Sequence, residues 1–285
     1  MRPLVPSILR RISISILSVL LAAAVALVVL ILLFQNSLIY HPRKYSSGAS
    51  GRYPSLVPLP YATAQGRQQA YYLPPDQAAA QAPHRLWVLF CGNASRALDW
   101  MDILESRPDG RDGFLLIDYP GYGDCEGSPS PGAIRDSAEA AFACLAETLK
   151  CEPKVLEENL NLLCLSIGCG AGLNFAVRHP VNSIILLAPF TSLRDMARRS
   201  VGWPLCWLLI HNFDNRARLR ELAERKHPPQ VTIFHGDDDT LVPITMGREL
   251  AGMFPAMITF QPVTGAKHNT ILYDAQSRIF AAMRD

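Results

Sequence analysis

Short apolar runs alternate with helical patterns along most of the chain. The runs are bounded by turn residues and lie at residues 85–90, 113–119, 161–166, 183–190, 230–236 and 257–263. Continuous apolar runs of this length are typical of strands buried on both faces of a parallel sheet. Two shorter strands are predicted on either side of Gly66, which interrupts the pattern as a hairpin turn would.

Helical spacing of apolar residues follows several of these runs. One helix is predicted to begin with Ser130 as N-cap and Pro131 as its first residue. Further helices are predicted at residues 167–178, 243–253 and 270–283. Alternating strands and helices predict an α/β fold, with a mostly parallel open sheet covered by helices on both faces. In such sheets ligands bind beyond the carboxyl ends of the strands.

The first part of the chain has a different pattern. Residues 12–34 form an uncharged apolar run of 23 residues, which as a helix would be roughly 35 Å long and would cross a bilayer core. A signal peptide has a shorter apolar region that ends at small residues, whereas this run ends in bulky ones. We therefore predict one transmembrane helix that anchors the chain.

These patterns divide the chain into three parts. Residues 1–34 are predicted to form the tail and anchor, residues 35–53 a juxtamembrane linker, and residues 54–285 one folded domain with a short lid at about 190–230. Arginines before the anchor and basic residues after it nearly balance, with a slight preference for a non-cytoplasmic folded domain.

Charge and cysteine content exclude several classes of function. The net charge is only +2, so no basic field is present and nucleic acid is not an expected partner. The seven cysteines have neither Cys-x-x-Cys nor Cys/His spacing, so neither a metal nor a cofactor is predicted. Because several of them lie in apolar runs, as buried free thiols do, they argue mildly against an oxidising compartment.

Candidate chemistry lies directly after the predicted strands. Ser166 follows one strand, three aspartates at 237–239 follow another, and His268 follows the last. Gly168 supplies the small neighbour that a sharp strand-to-helix turn needs, and His268 lies where a general base is required. The residues alone do not choose among the three aspartates.

The chain from about residue 53 resembles the α/β-hydrolase superfamily, in particular membrane-anchored serine hydrolases with a short lid that act on esters and thioesters. The resemblance rests on the stretches "FCGNAS", "IDYPGYGDCEGSPS", "LSIGCGAG", "APFTSLRD", "HGDDDTLVP" and "GAKHN" in this order. It implies Ser166 as nucleophile, His268 as base, Asp239 as the acid that orients it, and the backbone N–H groups of Asn93 and Ile167 as the oxyanion hole.

Two residues depart from the family pattern. Cys91 stands where the family usually has histidine, and Cys164 where it usually has glycine. The two thiols are expected beside the active site, where they either fill space or form a disulfide or redox pair. Among the other histidines, His235 is predicted to be structural. A solvated position is predicted for His41, His84, His179, His211 and His227.

The expected substrate is a small-molecule or lipid-like acyl compound, and the expected partner is the lipid bilayer. The tryptophan-containing stretch at residues 201–213 either packs against the sheet or forms an acyl-chain wall or a membrane-facing lip. A serine peptidase of the same fold and a catalytically silent binding protein remain as alternatives. Oligomeric state and acyl-chain preference stay open.

Overall fold

A computed structural model describes residues 5–46, 48–76, 82–108 and 110–284. Within these residues the chain forms one sheet of eight strands. The strands are β1 (Val57–Thr63), β2 (Gly66–Leu73), β3 (Leu86–Phe90), β4 (Gly113–Ile117), β5 (Leu160–Leu165), β6 (Ser183–Leu187), β7 (Gln230–Gly236) and β8 (Ile258–Val263).

The strand order across the sheet is β1, β2, β4, β3, β5, β6, β7, β8. Strand β2 pairs antiparallel with β1 and β4, and all other pairs are parallel. The hairpin predicted at Gly66 is confirmed, because Thr63 pairs with Gly66 at the turn between β1 and β2. The predicted strands at 113–119 and 183–190 end earlier, at Ile117 and Leu187.

Ten α-helices accompany the sheet in the described part of the chain. They are α1 (Val5–Ile39), α2 (Met101–Leu104), α3 (Pro131–Thr148), α4 (Pro153–Glu157), α5 (Ile167–Ala176), α6 (Leu193–Val201), α7 (Asn215–Ala223), α8 (Ile244–Met253), α9 (Ile271–Asp274) and α10 (Gln276–Ala282). Three short 3₁₀ helices lie at Ser50–Arg52, Ala97–Trp100 and Leu205–Leu208.

Local signals set several helix boundaries. The Ser130 hydroxyl accepts a hydrogen bond from Ala133 N at 3.1 Å, so the predicted N-cap of α3 is confirmed. The single helix predicted at 270–283 is wrong, because the chain leaves helical geometry at Ala275 and forms α9 and α10. No glycine or proline marks this break.

The sheet has a covered core. Every residue of β3 and β4 is buried, which requires packing on both faces of the central strands. The predicted α/β sheet with helices on both faces is therefore confirmed. The carboxyl ends of its parallel strands lie on one side of the sheet, and the loops that follow them carry the candidate catalytic residues.

Helix α1 differs from the rest of the molecule in being apolar and exposed. Its segment Ser13–Ile39 has a mean hydropathy of 3.3 and is long and apolar enough to cross a membrane by length and composition. The helix continues past the predicted end of the anchor at Phe34, and the segment predicted as a linker packs against the domain. Within that segment, Gln35 and Tyr40 are buried.

The segment predicted as a lid, residues 190–230, contains α6, the 3₁₀ helix Leu205–Leu208 and α7. Side chains cap both α-helices, because Ser192 accepts from Asp195 N at 3.0 Å and Asp214 accepts from Ala217 N at 3.0 Å. An antiparallel bridge between Ser192 and Asp214 joins the residue before α6 to the residue before α7. We call residues 190–230 the cap.

Candidate active site

Ser166 lies between β5 and α5 in an uncommon backbone conformation. Its φ is 53° and its ψ is −115°, in the half of φ space that residues other than glycine rarely adopt. Its N–H donates to Leu187 O at 2.9 Å, which ties the turn to the end of β6. A strained serine between a strand and a helix is the geometry of a nucleophile elbow.

Three side chains from three loops form a continuous hydrogen-bonded chain. His268 Nε2 lies 2.9 Å from Ser166 Oγ, and His268 Nδ1 lies 2.7 Å from Asp239 Oδ2. An ionised carboxylate only accepts, so Nδ1 donates to Asp239 and Nε2 is left to accept the serine proton. The structure therefore brings together the three side chains that the sequence singled out.

Asp239 is held in place by the backbone. Its Oδ1 accepts hydrogen bonds from Leu241 N at 2.9 Å and Val242 N at 2.8 Å. Burial raises the pKa of Asp239, but the neighbouring His235 and His268 side chains and Val242 N outweigh burial and hold this pKa below its usual value. The neighbouring Asp237 accepts from Gly265 N instead, and Asp238 is exposed.

The two predicted oxyanion donors lie at the same edge of the sheet. Ile167 is the first residue of α5, and Asn93 lies in the loop after β3. Within the described chain, neither backbone N–H has a hydrogen-bond acceptor in the protein. The N–H groups at a helix N-terminus are directed outward and favour negative charge.

Gly168 lets the elbow approach β3. A Cβ at this position would lie 2.3 Å from Phe90 O and 2.5 Å from Cys91 O. The Tyr119 hydroxyl donates to the same Cys91 carbonyl at 2.8 Å. The start of α5 and the loop after β3 are therefore packed backbone against backbone.

Cys91 and Cys164 are buried and free, and the other five cysteines are also free. The disulfide considered from the sequence is therefore not formed. Burial raises the pKa of both thiols well above its usual value, which suppresses the reactive thiolate form.

Cys164 replaces the usual glycine because another glycine faces it. A Cβ on Gly172 of α5 would lie 2.3 Å from Cys164 Sγ, so the thiol occupies space that Gly172 leaves open. The side-chain volume that Cys164 adds before Ser166 is offset by the missing side chain of Gly172 in α5. The departure from the family pattern is thus matched within the chain.

This pairing predicts a non-additive mutational effect. We expect Gly172→Ala to destabilise the fold by about 1 to 3 kcal/mol through overpacking, and Cys164→Ala to relieve at least about 1 kcal/mol of that loss in the double variant. Urea unfolding of the four proteins in detergent micelles measures the coupling. Gly252→Ala in α8 is the matched control, because nothing lies within 4 Å of its Cβ position. Additive effects of the two substitutions would contradict the pairing.

The other histidines differ in their surroundings. His235 is buried and contacts Val242 O through Nε2 at 2.8 Å, in agreement with a structural role. His179 is not solvated as predicted: it is buried, its ring stacks on Phe175, and its nitrogens contact Glu139 and Glu157. These two carboxylates raise the pKa of His179, although burial alone would lower it.

His41, His84 and His227 are exposed, whereas His211 is half-buried with its ring centroid 5.8 Å from that of Tyr40. For His211 the prediction of a solvated side chain is therefore wrong. Its burial comes from the end of α1, which the sequence pattern assigned to a linker.

The sequence also did not indicate what the Asn93 side chain does. Its Oδ1 accepts from Tyr122 OH at 2.7 Å and from His41 N at 2.9 Å. The two tyrosines of the motif "DYPGYG" both support the loop after β3, Tyr119 through Cys91 and Tyr122 through Asn93. The presence of two tyrosines in this short motif is the one feature of the sequence that could have indicated these contacts.

Several proteins of known structure share the fold of this chain. The crystal structure of an alpha-beta hydrolase from Vibrio vulnificus superimposes with a TM-score of 0.67 at 16% identity and covers 87% of this chain and 92% of that protein. The chain has the α/β-hydrolase fold. The strand order of the sheet and this likeness both support the fold that the sequence motifs implied.

Curated relatives of this α/β-hydrolase-fold chain match it over shorter stretches. An uncharacterized protein of Mycobacterium tuberculosis is 30% identical over 156 residues, which are 54% of this chain and 52% of the relative. Lysophosphatidylserine lipase ABHD12 of Danio rerio is 28% identical over 151 residues, 48% of this chain and 38% of the lipase. The matches thus span about half the length of these relatives or less. No protein-family model matches the chain.

Proposed function

We propose that the chain is a membrane-anchored serine hydrolase that cleaves carboxylic esters or thioesters through an acyl-enzyme. The observation that carries the proposal is the hydrogen-bonded chain from Ser166 Oγ through His268 to Asp239. Its support is the strained serine turn at the start of α5, which together with the triad fits acyl transfer.

Each side chain has a role in this reaction. Ser166 Oγ attacks the carbonyl carbon while its proton moves to His268 Nε2. The negative charge that develops on the carbonyl oxygen is stabilised by the N–H groups of Asn93 and Ile167. His268 then gives the proton to the leaving oxygen or sulfur, and water hydrolyses the acyl-enzyme with His268 as base.

A cavity of about 300 Å³ lies near the loops that carry the triad. Its lining includes Gly92, Leu165 and Asn269, which are the chain neighbours of Asn93, Ser166 and His268. The triad side chains themselves do not line it, and the charged residues Arg43, Arg96, Asp99 and Asp102 do, so the cavity is a polar space behind the triad loops.

Exposed apolar side chains support a lipid-like substrate. In the cap, Trp203, Trp207 and Ile210 are 72%, 60% and 69% exposed. The cap contacts the end of α1, where Ile210 N donates to Gln35 Oε1 at 2.8 Å. Because tryptophan favours the membrane–water interface, we propose that this surface touches the bilayer from which the substrate arrives.

We further propose that the domain lies on the non-cytoplasmic side, as the slight charge preference before the anchor suggests. The cysteines argue mildly against this placement, because all seven thiols are free and five of them are buried. Protease protection in sealed vesicles tests this placement of the folded domain. Digestion of the domain by a protease added to the cytoplasmic face would show that it lies on the cytoplasmic side.

An active-site fluorophosphonate probe tests the proposed function. We expect the probe to label the full chain in detergent micelles and Ser166→Ala to lose all labelling, because the reacting oxygen is removed. Ser200→Ala is the matched control, since this exposed cap serine bonds only to Met196 O. Equal labelling of Ser166→Ala and the unaltered chain would contradict the proposal.

Substrate assays separate the alternatives. Hydrolysis of p-nitrophenyl esters of increasing chain length, with little cleavage of aminoacyl amides, is the expected result for an esterase. The reverse preference would indicate a serine peptidase. A chain that is neither labelled nor active on any of these compounds would be a silent binding protein.

A further inference from the structure

The end of α1 is docked between the cap and the loop after β3. Gln35, although it lies in the apolar helix, is buried, and its Oε1 accepts from Ile210 N at 2.8 Å and His211 N at 3.2 Å of the cap. Tyr40 is also buried and lies against His211. The helix therefore leaves the domain from a fixed position.

On the other side of the helix end, Asn93 holds the backbone. Its Nδ2 donates to Ile39 O at 2.6 Å, which is one of the carbonyls that a helix C-terminus leaves without an intrahelical partner. Its Oδ1 accepts from His41 N at 2.9 Å, just beyond the helix. One amide side chain thus satisfies a carbonyl and an N–H at the exit of α1.

The same amide fixes the loop after β3. Asn93 Oδ1 also accepts from Tyr122 OH at 2.7 Å and from Ala94 N at 3.1 Å, and Ala94 has a φ of 59°. A positive φ at alanine persists only where surrounding contacts hold it. The hydrogen bonds of Asn93 supply these contacts, and they lie within one residue of the N–H that would stabilise the oxyanion.

We propose that Asn93 is a positioning residue through which the end of α1 orients the oxyanion loop. This rests on the proposed function. The helix is then a part of the catalytic structure, because its last carbonyl and the following N–H set the angle at which Asn93 N–H meets the substrate. Side-chain identity at Asn93 matters for this reason, although the oxyanion donor itself is a backbone group.

Kinetics of point variants of the full chain in micelles test the proposal. Loss of an oxyanion donor costs about 10²-fold or more, and misplacement costs up to a similar factor. We expect Asn93→Ala to lower kcat for a p-nitrophenyl ester about 10- to 100-fold, with KM changed less than about threefold, because the contact acts mainly in the transition state.

Two further variants act on the contacts around Asn93 without changing its side chain. Gln35→Leu removes the acceptor for Ile210 N and His211 N, so it loosens the end of α1 from the cap and adds no charge near the oxyanion. Tyr122→Phe removes one donor and leaves Asn93 in place. We expect both to lower kcat in the same direction, by smaller factors than Asn93→Ala.

Binding of an alkyl boronic acid distinguishes positioning from a merely structural role. Its adduct with Ser166 is tetrahedral and negatively charged, so its Ki should rise in proportion to the fall in kcat while KM stays nearly constant. Asn182→Ala is the matched control, because Asn182 Nδ2 also donates to a backbone carbonyl, Glu158 O, but far from the elbow.

The outcomes are distinguishable from failure of the proposed function. If the unaltered chain hydrolyses esters but Asn93→Ala matches Asn182→Ala within twofold in kcat and Ki, the positioning role is wrong. If Asn93→Ala does not fold, Gln35→Leu and Tyr122→Phe decide by the same comparison. If the unaltered chain has neither labelling nor hydrolysis, the proposed function itself fails.

Discussion

Asp239→Asn is expected to lower ester turnover by about four orders of magnitude, as loss of the orienting carboxylate does in a serine triad. Two backbone N–H groups, of Leu241 and Val242, donate to Oδ1 and would select the amide oxygen for that side. The amide nitrogen would then face His268 Nδ1.

The consequence is the wrong tautomer. A donor facing Nδ1 makes this nitrogen an acceptor, so the imidazole proton moves to Nε2, which is then unable to take the proton of Ser166. Positions of the heavy atoms need hardly change, so the loss should fall on kcat.

The measurement is kcat for a p-nitrophenyl ester, together with the rate of fluorophosphonate labelling. Both should fall in the same proportion. Asp238→Asn is the matched control, because its carboxylate is exposed in the same loop and bonds to neither triad partner. A loss of less than tenfold in Asp239→Asn would show that Asp239 does not orient His268.

Gly168→Ala is expected to cost about 3 kcal/mol or more in the free energy of unfolding. The added Cβ would lie 2.3 Å from Phe90 O and 2.5 Å from Cys91 O, and both atoms belong to the backbone of a fully buried strand and its following loop. A flexible side chain would move aside, but this backbone has no room to do so.

For a domain of this size the change corresponds to a fall of about 6 to 12 °C in Tm. Thermal unfolding in micelles measures it, and probe labelling should fall with it, because the elbow and the oxyanion loop share this contact. Gly252→Ala, which meets no atom within 4 Å, should instead hold or slightly raise Tm. A Tm for Gly168→Ala within 2 °C of the unaltered chain, about the shift for well under 1 kcal/mol, would contradict the packing.

Sequence patterns predicted the sheet because its strands are buried on both faces. A run such as residues 162–165 contains no polar residue, so its composition alone marks it as part of a central strand. Ser166, the aspartates at 237–239 and His268 could be predicted as site residues because each follows a predicted strand directly and they occur in the order serine, aspartate, histidine. The choice of Asp239 needed the family resemblance, because three adjacent aspartates carry the same local signal.

The contacts of α1 were not predictable in the same way. Residues 35–53 mix polar, glycine, serine and proline residues, a composition that is locally typical of a linker. The partners of the residues near the end of α1 are distant in sequence. Asn93 lies 54 positions from Ile39, and Gln35 lies 175 positions from Ile210. Burial of His179 was missed for the same reason, since Glu139 and Glu157 come from other elements.

The free cysteines give the molecule a built-in set of reporters for local opening. Five thiols are buried, at Cys91, Cys125, Cys164, Cys169 and Cys206, and two are half-buried. A thiol reagent reaches a buried site only when the surrounding structure opens. Because Cys206 lies in the cap while Cys164 and Cys169 flank Ser166, their separate alkylation rates record how often the cap opens without disturbing the elbow.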